Sequence, residues 1–464
     1  MATLPSGVAL KRVKSHILLD LSDIPMIPDE ENMPPASTLL YNVRFFYHSG
    51  SRDDYWGTTG DEVDRDWSSF DNPRKTLTAV VHEMLLPADT EDQKLHKIYA
   101  AVEQLENTDY TRERSEREDK QSGIREAKNS DDIWNCKRGD SEDLTHLFVA
   151  MVRAAGFKAY PMAVASRDHA VFDQNVLSWS QMDSMVAVVT TSAKEIFFDL
   201  GTRLCPFGYL APWHSNVVGV STEAKLVKIR STYTRSSTAS ETDRFADLSL
   251  APNGTVTGKL KLIWIHAAGT PMRSQGLRSD AHEVETDLEK RIQAQVPKGV
   301  EVHLKSLTGL SDGEVPLVAE FTVVGTLGAS TQKKMIVPAH FFASTSKRQL
   351  AAEVRTQPIA FPEAILTRDQ VVLRLPAELS IESLPETRSI AVGTSTAYGT
   401  ATQTPGSDRR LIVTQRATAL RKIDFKLDEY AALRKYFGQV SDFDQDQITL
   451  HIANTPGQSP DGGQ

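Results

Sequence analysis

Several features that would assign this sequence to a particular class of protein are missing from it. The 464 residues include only two cysteines, which give no disulfide framework and do not decide the compartment. No apolar run approaches the roughly 18 residues that a membrane span needs, so we expect no membrane-spanning segment. The first residues lack the basic start, apolar core and cleavage site of a signal peptide.

The usual signatures of cofactor, metal and nucleic-acid sites are missing as well. The net charge of -9 and the lack of a basic stripe argue against a nucleic-acid partner. No Gly-rich phosphate loop and no zinc-like spacing of cysteine or histidine is present, so we expect no cofactor and no metal. A composition of 40% hydrophobic and 24% charged residues is typical of an ordinary soluble protein, and the length allows about three domains.

The most informative segment is residues 137–161, which predicts a buried amphipathic helix from about Ser141 to Ala155. Asp140 and Ser141 are both good N-cap residues, and Gly156 is a plausible stop. The apolar residues that share one helical face are Leu144, Leu147, Phe148, Met151, Val152 and Ala155.

Shorter patterns flank this helix on both sides. Upstream, Thr90–Gln93 reads as a capping box that opens another helix. The mixed-charge run Thr111–Gln121 is expected to be a solvated loop or an exposed helix. Downstream, residues 181–189 and 195–202 are two strand-like runs, and the polar residues between them suit a hairpin turn.

Together these segments resemble a transglutaminase-like domain of the papain-like cysteine protease and transglutaminase superfamily, most strongly from about 75 to 225. Such domains read Gly-Asp-Cys at the helix start, then a histidine at the start of a strand, then an aspartate closing the next strand. By this resemblance Ser141 takes the cysteine position, and Asp183, or Ser184 with a register shift of one, takes the histidine position. Asp199 keeps the aspartate.

The resemblance therefore implies a site without its nucleophile and without its base. A serine hydroxyl stays protonated unless a base takes the proton, and general-base help contributes roughly 10² to 10⁴ in rate. Asp199 is expected to have no ring to orient and to cap the turn into Gly201 and Thr202. We therefore expect Ser141 to serve as a helix N-cap, with no catalytic residue assigned.

An enzyme with a relocated site is the alternative that the sequence leaves open. Cys136 and Cys205 are the candidate replacement nucleophiles, beside Ser141 itself. A shifted base would come from His169 or His214, both in predicted loops. His146 lies five residues after Ser141 and hence on another face of the helix.

The predicted fold class is α+β, with a central transglutaminase-like (papain-like) domain flanked by β-sandwich segments. Residues 16–21 and 40–47 look like the last strands of a β-sandwich. After residue 240 the strand spacing suggests β-sandwich modules, with a hairpin at residues 244–265 and helices at 280–295 and 427–437. The predicted divisions are 1–75 for the end of an N-terminal β-sandwich domain, 76–230 for the transglutaminase-like domain, 240–455 for a β-rich region with two helices, and 456–464 for a disordered tail.

The sequence thus predicts a binding or scaffold module with a protein or peptide partner. A structural role within a secretion or envelope assembly is a further alternative. In similar bacterial proteins a longer β-domain precedes the transglutaminase-like one, so this chain is compatible with a truncated form of a longer, exported protein.

Overall fold

The computed structural model describes residues 2–5, 7–46, 50–111, 127–223, 226–233, 236–406 and 409–453. Most of the predicted charged run at 111–121, and the predicted tail at 456–464, lie outside these residues. The fold is α+β, as the sequence predicts. The chain divides into two compact units, residues 1–234 with 356–363, and residues 235–355 with 364–464.

The described part of the chain contains nine α-helices, which we number in chain order. Short 3₁₀ turns, including Thr108–Tyr110 and Pro212–His214, lie between some of them. The helices are α1 (Ala36–Leu39), α2 (Arg52–Asp71), α3 (Lys75–Met84), α4 (Glu91–Glu103), α5 (Ser130–Cys136), α6 (Ser141–Ala154), α7 (Thr270–Arg278), α8 (Ala281–Gln293) and α9 (Tyr430–Phe443).

The strands of the first unit are short, and five of them form its main sheet in the antiparallel order β11-β10-β7-β8-β9. They are β1 (Ala2–Thr3), β2 (Lys11–Val13), β3 (His16–Leu18), β4 (Asn42–Val43), β5 (Glu106–Asn107), β6 (Arg138–Gly139), β7 (Lys158–Val164), β8 (Ser184–Thr190), β9 (Glu195–Phe198), β10 (Val218–Glu223) and β11 (Leu226–Ser231).

The strands of residues 235–453 are longer, and eight of them form one sheet in the order β14-β15-β13-β12-β19-β23-β22-β21. They are β12 (Ser240–Leu250), β13 (Thr255–His266), β14 (Val300–Thr308), β15 (Leu317–Thr326), β16 (Ala329–Ser330), β17 (Lys334–Pro338), β18 (Ile359–Ala360, which belongs to the first unit), β19 (Ile365–Arg374), β20 (Leu379–Ser383), β21 (Arg388–Val392), β22 (Thr396–Gln403), β23 (Leu411–Leu420), β24 (Asp424–Phe425) and β25 (Gln447–Ile452).

Helix α6 is the centre of the first unit. All nine residues from Leu144 to Val152 are buried, and they pack with residues of α3 and α4 and with one face of the main sheet. The predicted helix and the predicted hairpin of β8 and β9 are both confirmed, and so is the capping box that Thr90 and Gln93 form at α4. These elements follow from local periodicity and capping.

Residues 52–71 differ from the predicted β-rich segment, because they form the 20-residue helix α2. The expected strand at residues 40–47 is reduced to Asn42–Val43, which pairs with β1. Trp56 packs on Phe172, and Trp67 packs on His146, so α2 shares the core of the first unit. Gly60 lies so close to Val227 that a Cβ at this position would overlap its side chain.

The second unit has a core shared by two sheets and helix α8. Val284, Leu288 and Ile292 of α8 contact residues of the eight-stranded sheet and of the four-stranded sheet β16-β17-β25-β20. The predicted hairpin is confirmed as β12 and β13, with Gly254 at φ 87° in its turn. The two predicted helices correspond to α8 and α9, and the β-sandwich assignment stays a prediction.

A buried ion pair joins α2 to α6. The Nδ1 atom of His146 lies 2.7 Å from Asp71 Oδ1, and both side chains are at least 95% buried. Burial alone would lower the pKa of His146, but the hydrogen bond to Asp71 and the nearby Glu142 carboxylate outweigh burial and raise the pKa from 6.5 to about 9. The imidazolium therefore stabilises this packing at neutral pH.

We predict that this pair makes the first unit less stable as the pH rises from about 6.5 to about 9. The pKa of His146 is raised in the folded state, so the ion pair's contribution to the free energy of unfolding is fully present below the unfolded-state pKa. This contribution, about 3 kcal/mol in total, is lost as the pH rises through about 9. Urea unfolding of the wild type and His146→Gln across this range, followed by Trp fluorescence, measures it. If the stability of the wild type varied as little with pH as that of His146→Gln, the role of the His146–Asp71 pair would be contradicted.

Candidate functional site

Ser141 is the first residue of α6 and not its N-cap, which corrects the role expected for it. The N-cap is Asp140, whose carboxylate accepts the Asp143 N–H at 2.8 Å while Asp143 accepts from the Asp140 N–H. This reciprocal capping box leaves the Ser141 side chain available for other partners.

Ser141 is held by a segment that approaches from the end of α4. Strands β5 and β6 pair in parallel, with Asn107 opposite Gly139, and this pairing puts residues 107–109 beside the helix start. The Ser141 N–H donates to Asp109 Oδ2 at 3.0 Å. The Ser141 hydroxyl donates to the Gly201 carbonyl at 3.0 Å and accepts from Asn107 Nδ2 at 3.3 Å.

The helix N-terminus at Ser141 carries several acidic groups. The Asp109 carboxylate already occupies one of its backbone donors, and Glu142 and Asp143 lie in the first turn. Burial, with the nearby Asp140 carboxylate, raises the pKa of Asp143 to about 6. These acids offset the favourable field that a helix start gives to an anion, and they therefore disfavour an alkoxide or a thiolate at position 141.

Asp183 directly precedes β8, and Ser184 is the first residue of that strand, paired with Val164. The Asp183 carboxylate accepts the Ser166 N–H at 2.8 Å and contacts His169 Nδ1 at 2.8 Å. Burial tends to raise the pKa of Asp183, but these hydrogen bonds outweigh burial and hold the pKa below its ordinary value. Asp183 therefore holds the ring of His169, an exposed loop residue.

Asp199 lies just after β9 and is fully buried. Its carboxylate accepts the N–H groups of Thr202 at 3.0 Å and Ala211 at 2.9 Å, which agrees with the expected turn cap. The same carboxylate contacts His214 Nδ1 at 2.7 Å. The expectation that Asp199 has no ring to orient is therefore wrong, because a later turn supplies one.

The Asp199 side chain is turned away from α6. Along β9, Phe198 packs in the core that contains α6, whereas Phe197 packs with Leu210 and Val217 on the other face of the sheet. Asp199 is two residues after Phe197, so its side chain points to the same face as Phe197 and hydrogen-bonds the segment at Ala211–His214. Burial tends to raise the pKa of Asp199, but His214 and the backbone donors outweigh burial and lower that pKa.

The structure does not join the candidate residues into one hydrogen-bonded group. Within the described residues, no imidazole hydrogen-bonds the Ser141 hydroxyl, and His146 is turned toward Asp71 as its position predicts. Nε2 of His214 is buried without a hydrogen-bond partner among the same residues. Asp183 and Asp199 each contact a different histidine, His169 and His214.

Neither cysteine is in a disulfide, and the two have different surroundings. Cys136 is exposed at the end of α5. Cys205 is buried, and its thiol donates to the Tyr209 carbonyl at 3.5 Å. The Cys136 sulfur has no hydrogen bond to a histidine among the described residues.

Asn107 and Asp109 lie near Ser141, although the sequence analysis assigned no role to either residue. The sequence signal for them is weak, because they belong to a short polar segment between α4 and the charged run and nothing else distinguishes them. Their contact with Ser141 depends on the parallel pairing of β5 and β6, across 34 and 32 residues of chain.

A cavity of about 610 Å³ lies beside Asp183. One wall is the loop at residues 170–183 and the other is the segment at residues 37–46. Phe45 and Val171 on its rim are 59% and 54% exposed. The Gln181 side chain braces the loop, since its amide bonds backbone groups of Asp173, Val176 and Ser178.

The described residues offer no metal centre. They contain no group of three or more histidine, cysteine or carboxylate side chains that could hold a metal ion. In the same part of the chain, no helix has both the length and the apolar character to cross a bilayer.

Comparison with known proteins finds two matching families. The transglutaminase-like superfamily matches residues 78–184, and DUF3858, a domain of unknown function with a solved structure, matches residues 333–450. The crystal structure of a "putative protease" from Parabacteroides distasonis ATCC 8503 aligns at 10% identity and a TM-score of 0.47. That alignment covers 86% of this chain and 59% of the other, so the chain spans less than two thirds of that protein. No curated protein matches. Residues 78–184 therefore form a domain that belongs to the transglutaminase-like superfamily.

Proposed function

We propose that the transglutaminase-like domain of this chain binds a protein or peptide and does not catalyse cysteine-dependent acyl transfer. The observation that carries this proposal is the bonding of Ser141. Its hydroxyl donates to the Gly201 carbonyl, a group that cannot accept a proton as a base does. The residue at the family's nucleophile position therefore has a structural role.

The bonding of the two aligned aspartates supports the same proposal. In an acyl-transfer triad one carboxylate orients one imidazole, and that imidazole bonds the nucleophile. Here Asp183 and Asp199 each hold a different histidine, and neither ring bonds Ser141. The parts needed for proton transfer are present but separated.

An acyl-transfer enzyme with a relocated site is the second candidate, and His214 is the observation that favours it. Asp199 orients this ring through Nδ1, and Nε2 has no hydrogen-bond partner among the described residues, as a general base requires before substrate binds. His214 is 98% buried, however, so substrate would reach it only after the loop at residues 202–214 moved.

The cavity beside Asp183 is the proposed docking site. Its volume of about 610 Å³ falls in the range of ligand pockets, and exposed apolar side chains at a rim are typical of binding surfaces. The braced loop keeps one wall ordered before binding, which lowers the entropic cost of association. An extended peptide segment whose apolar side chain contacts Phe45 and Val171 fits this lining.

The structural role of Ser141 predicts a loss of stability in Ser141→Ala. Removal of the hydroxyl takes away one of the two side-chain donors of the buried Gly201 carbonyl and leaves it Asn107 Nδ2 at 3.3 Å, so the cost should be about 1 kcal/mol. Urea unfolding measures it against Ser22→Ala, an exposed serine of the same unit. Equal stabilities of the two variants would contradict the structural role.

Chemical probes test the absence of an active nucleophile. We expect neither a serine-directed fluorophosphonate nor iodoacetamide to modify the native chain in a saturable way, with Cys136 reacting only as an ordinary exposed thiol. Peptide mapping after labelling locates any adduct. Saturable labelling at Ser141 or Cys205, blocked by His214→Gln, would replace this proposal with the relocated-site enzyme.

The docking site is tested on an array of unmodified 12-residue peptides with the full chain as probe. We expect peptides with apolar central residues to bind. Val171→Asp should weaken their binding about tenfold or more, because it places a charge in the apolar rim. Val354→Asp is the matched control, since Val354 is exposed in the other unit. Equal losses in both variants, or no bound peptide, would contradict the docking site.

A further inference from the structure

The eight-stranded sheet of the second unit carries an open depression of about 470 Å³ on the face opposite its hydrophobic core. Residues of strands β12, β19, β23, β22 and β21 line it. Because neighbouring strands are about 4.8 Å apart, the depression extends about 19 Å across the strand direction. The lining lies on regular, continuously paired strands and is therefore rigid.

The side chains that point into the depression follow from the strand register. One row across the sheet runs from Asp243 through Arg368 and Ala417 to Gly399. A second row runs from Phe245 through Gln370 and Gln415 to Ala401. The two alanines and the glycine form the floor, and the larger side chains stand along one side.

Gly399 is not explained by its backbone or by its packing. It lies inside β22, its φ is ordinary for a strand, and the pairing on both sides continues without a bulge. A Cβ built on it would come no closer than 3.8 Å to any atom, the Arg388 carbonyl oxygen. A glycine inside a strand weakens it and often marks a place where a ligand comes close to the backbone. The depression supplies that place.

Two amide side chains at the depression have no hydrogen-bond partner among the described residues. Gln370 and Gln415 are directly opposite each other on β19 and β23. Within the described residues, neither side-chain amide makes a hydrogen bond, and both are open to solvent at least in part. Each amide carries a donor and an acceptor, so the pair can bind a group that offers both.

Each charged residue of the lining has an oppositely charged neighbour within 4.0 Å among the described residues. Arg368 lies 3.9 Å from Asp243 and also bonds Glu241. The other charged residues of the lining turn to the opposite face of the sheet, where Arg416 binds Asp369 and Asp444. The net charge of -9 further disfavours a polyanion.

Phe245 supplies an aromatic surface at the end of the second row. Its side chain is 37% exposed and stands opposite Gln370. An exposed ring next to amides presents an apolar face and hydrogen-bonding groups to the same ligand. A sugar ring has this combination, since one face carries C–H groups and its edge carries hydroxyls that both donate and accept.

We propose that this face of the second unit binds a short neutral oligosaccharide. One ring packs on Phe245, its neighbour lies flat over Gly399 and Ala401, and hydroxyls of the chain pair with the amides of Gln370 and Gln415. The site is separate from the docking cavity of the transglutaminase-like domain and does not depend on the function proposed for it. It lies largely in the part of the chain that matches DUF3858.

A glycan array probed with the full chain tests the proposal. The array carries neutral gluco-, manno-, galacto- and N-acetylglucosamine oligomers, sialylated and sulfated glycans, and the unmodified peptides used above. We expect a neutral oligomer to bind, and titration calorimetry with that free oligomer to give a Kd. Gly399→Val fills the floor, and should weaken binding about tenfold or more, as should Gln415→Ala.

Gln403→Val is the matched control, because it puts the same side chain on the same face of β22 outside the depression. Thermal unfolding of each variant separates loss of binding from loss of folding, and valine suits a strand where the space for it is open. Absence of neutral-glycan binding, binding only to acidic glycans, or equal binding by wild type and folded Gly399→Val would overturn the proposal. Peptide binding lost in Gly399→Val, without glycan binding, would assign the face to peptides instead.

Discussion

Burial of α6 is the constraint on which the first unit depends. The helix hides every residue from Leu144 to Val152, so its rotation and its height against the sheet are fixed by packing. The only ionic group within that stretch, His146, is matched by Asp71 of α2. With the helix fixed, its first residue must lie against Gly201, where a Cβ would approach the Ser141 Cβ to 3.1 Å.

This constraint explains how the position that our proposal assigns to the family's nucleophile can have a structural role. Besides the cap that Asp140 provides, the start of α6 needs contacts with the neighbouring turn and with the segment after α4. Ser141 meets those needs through Gly201 and Asn107. Asp183 and Asp199 each contact a histidine of their own, so both carboxylates are satisfied without Ser141.

The elements that the sequence predicted are those with local signals. Helix α6, the β8–β9 hairpin and the capping box of α4 all follow from spacing within about 15 residues. Helix α2 was missed because Asp, Gly and Thr dominate it and few of its residues are buried, although Ser51 and Asp54 form a capping box. The His214–Asp199 pair and the approach of Asp109 to Ser141 depend on which strands pair, and one sequence does not reveal that.

The thiol pKa of Ser141→Cys tests the central claim most directly, because it reports whether this position can ionise a nucleophile. Ultraviolet absorbance at increasing pH measures it, with Cys136 and Cys205 replaced by alanine in the same chain. The acidic groups around the helix start and the lack of a bonded imidazole predict a pKa at or above the ordinary value of about 8.5. A pKa below about 7 would mean that the site still stabilises a thiolate, and would contradict the account.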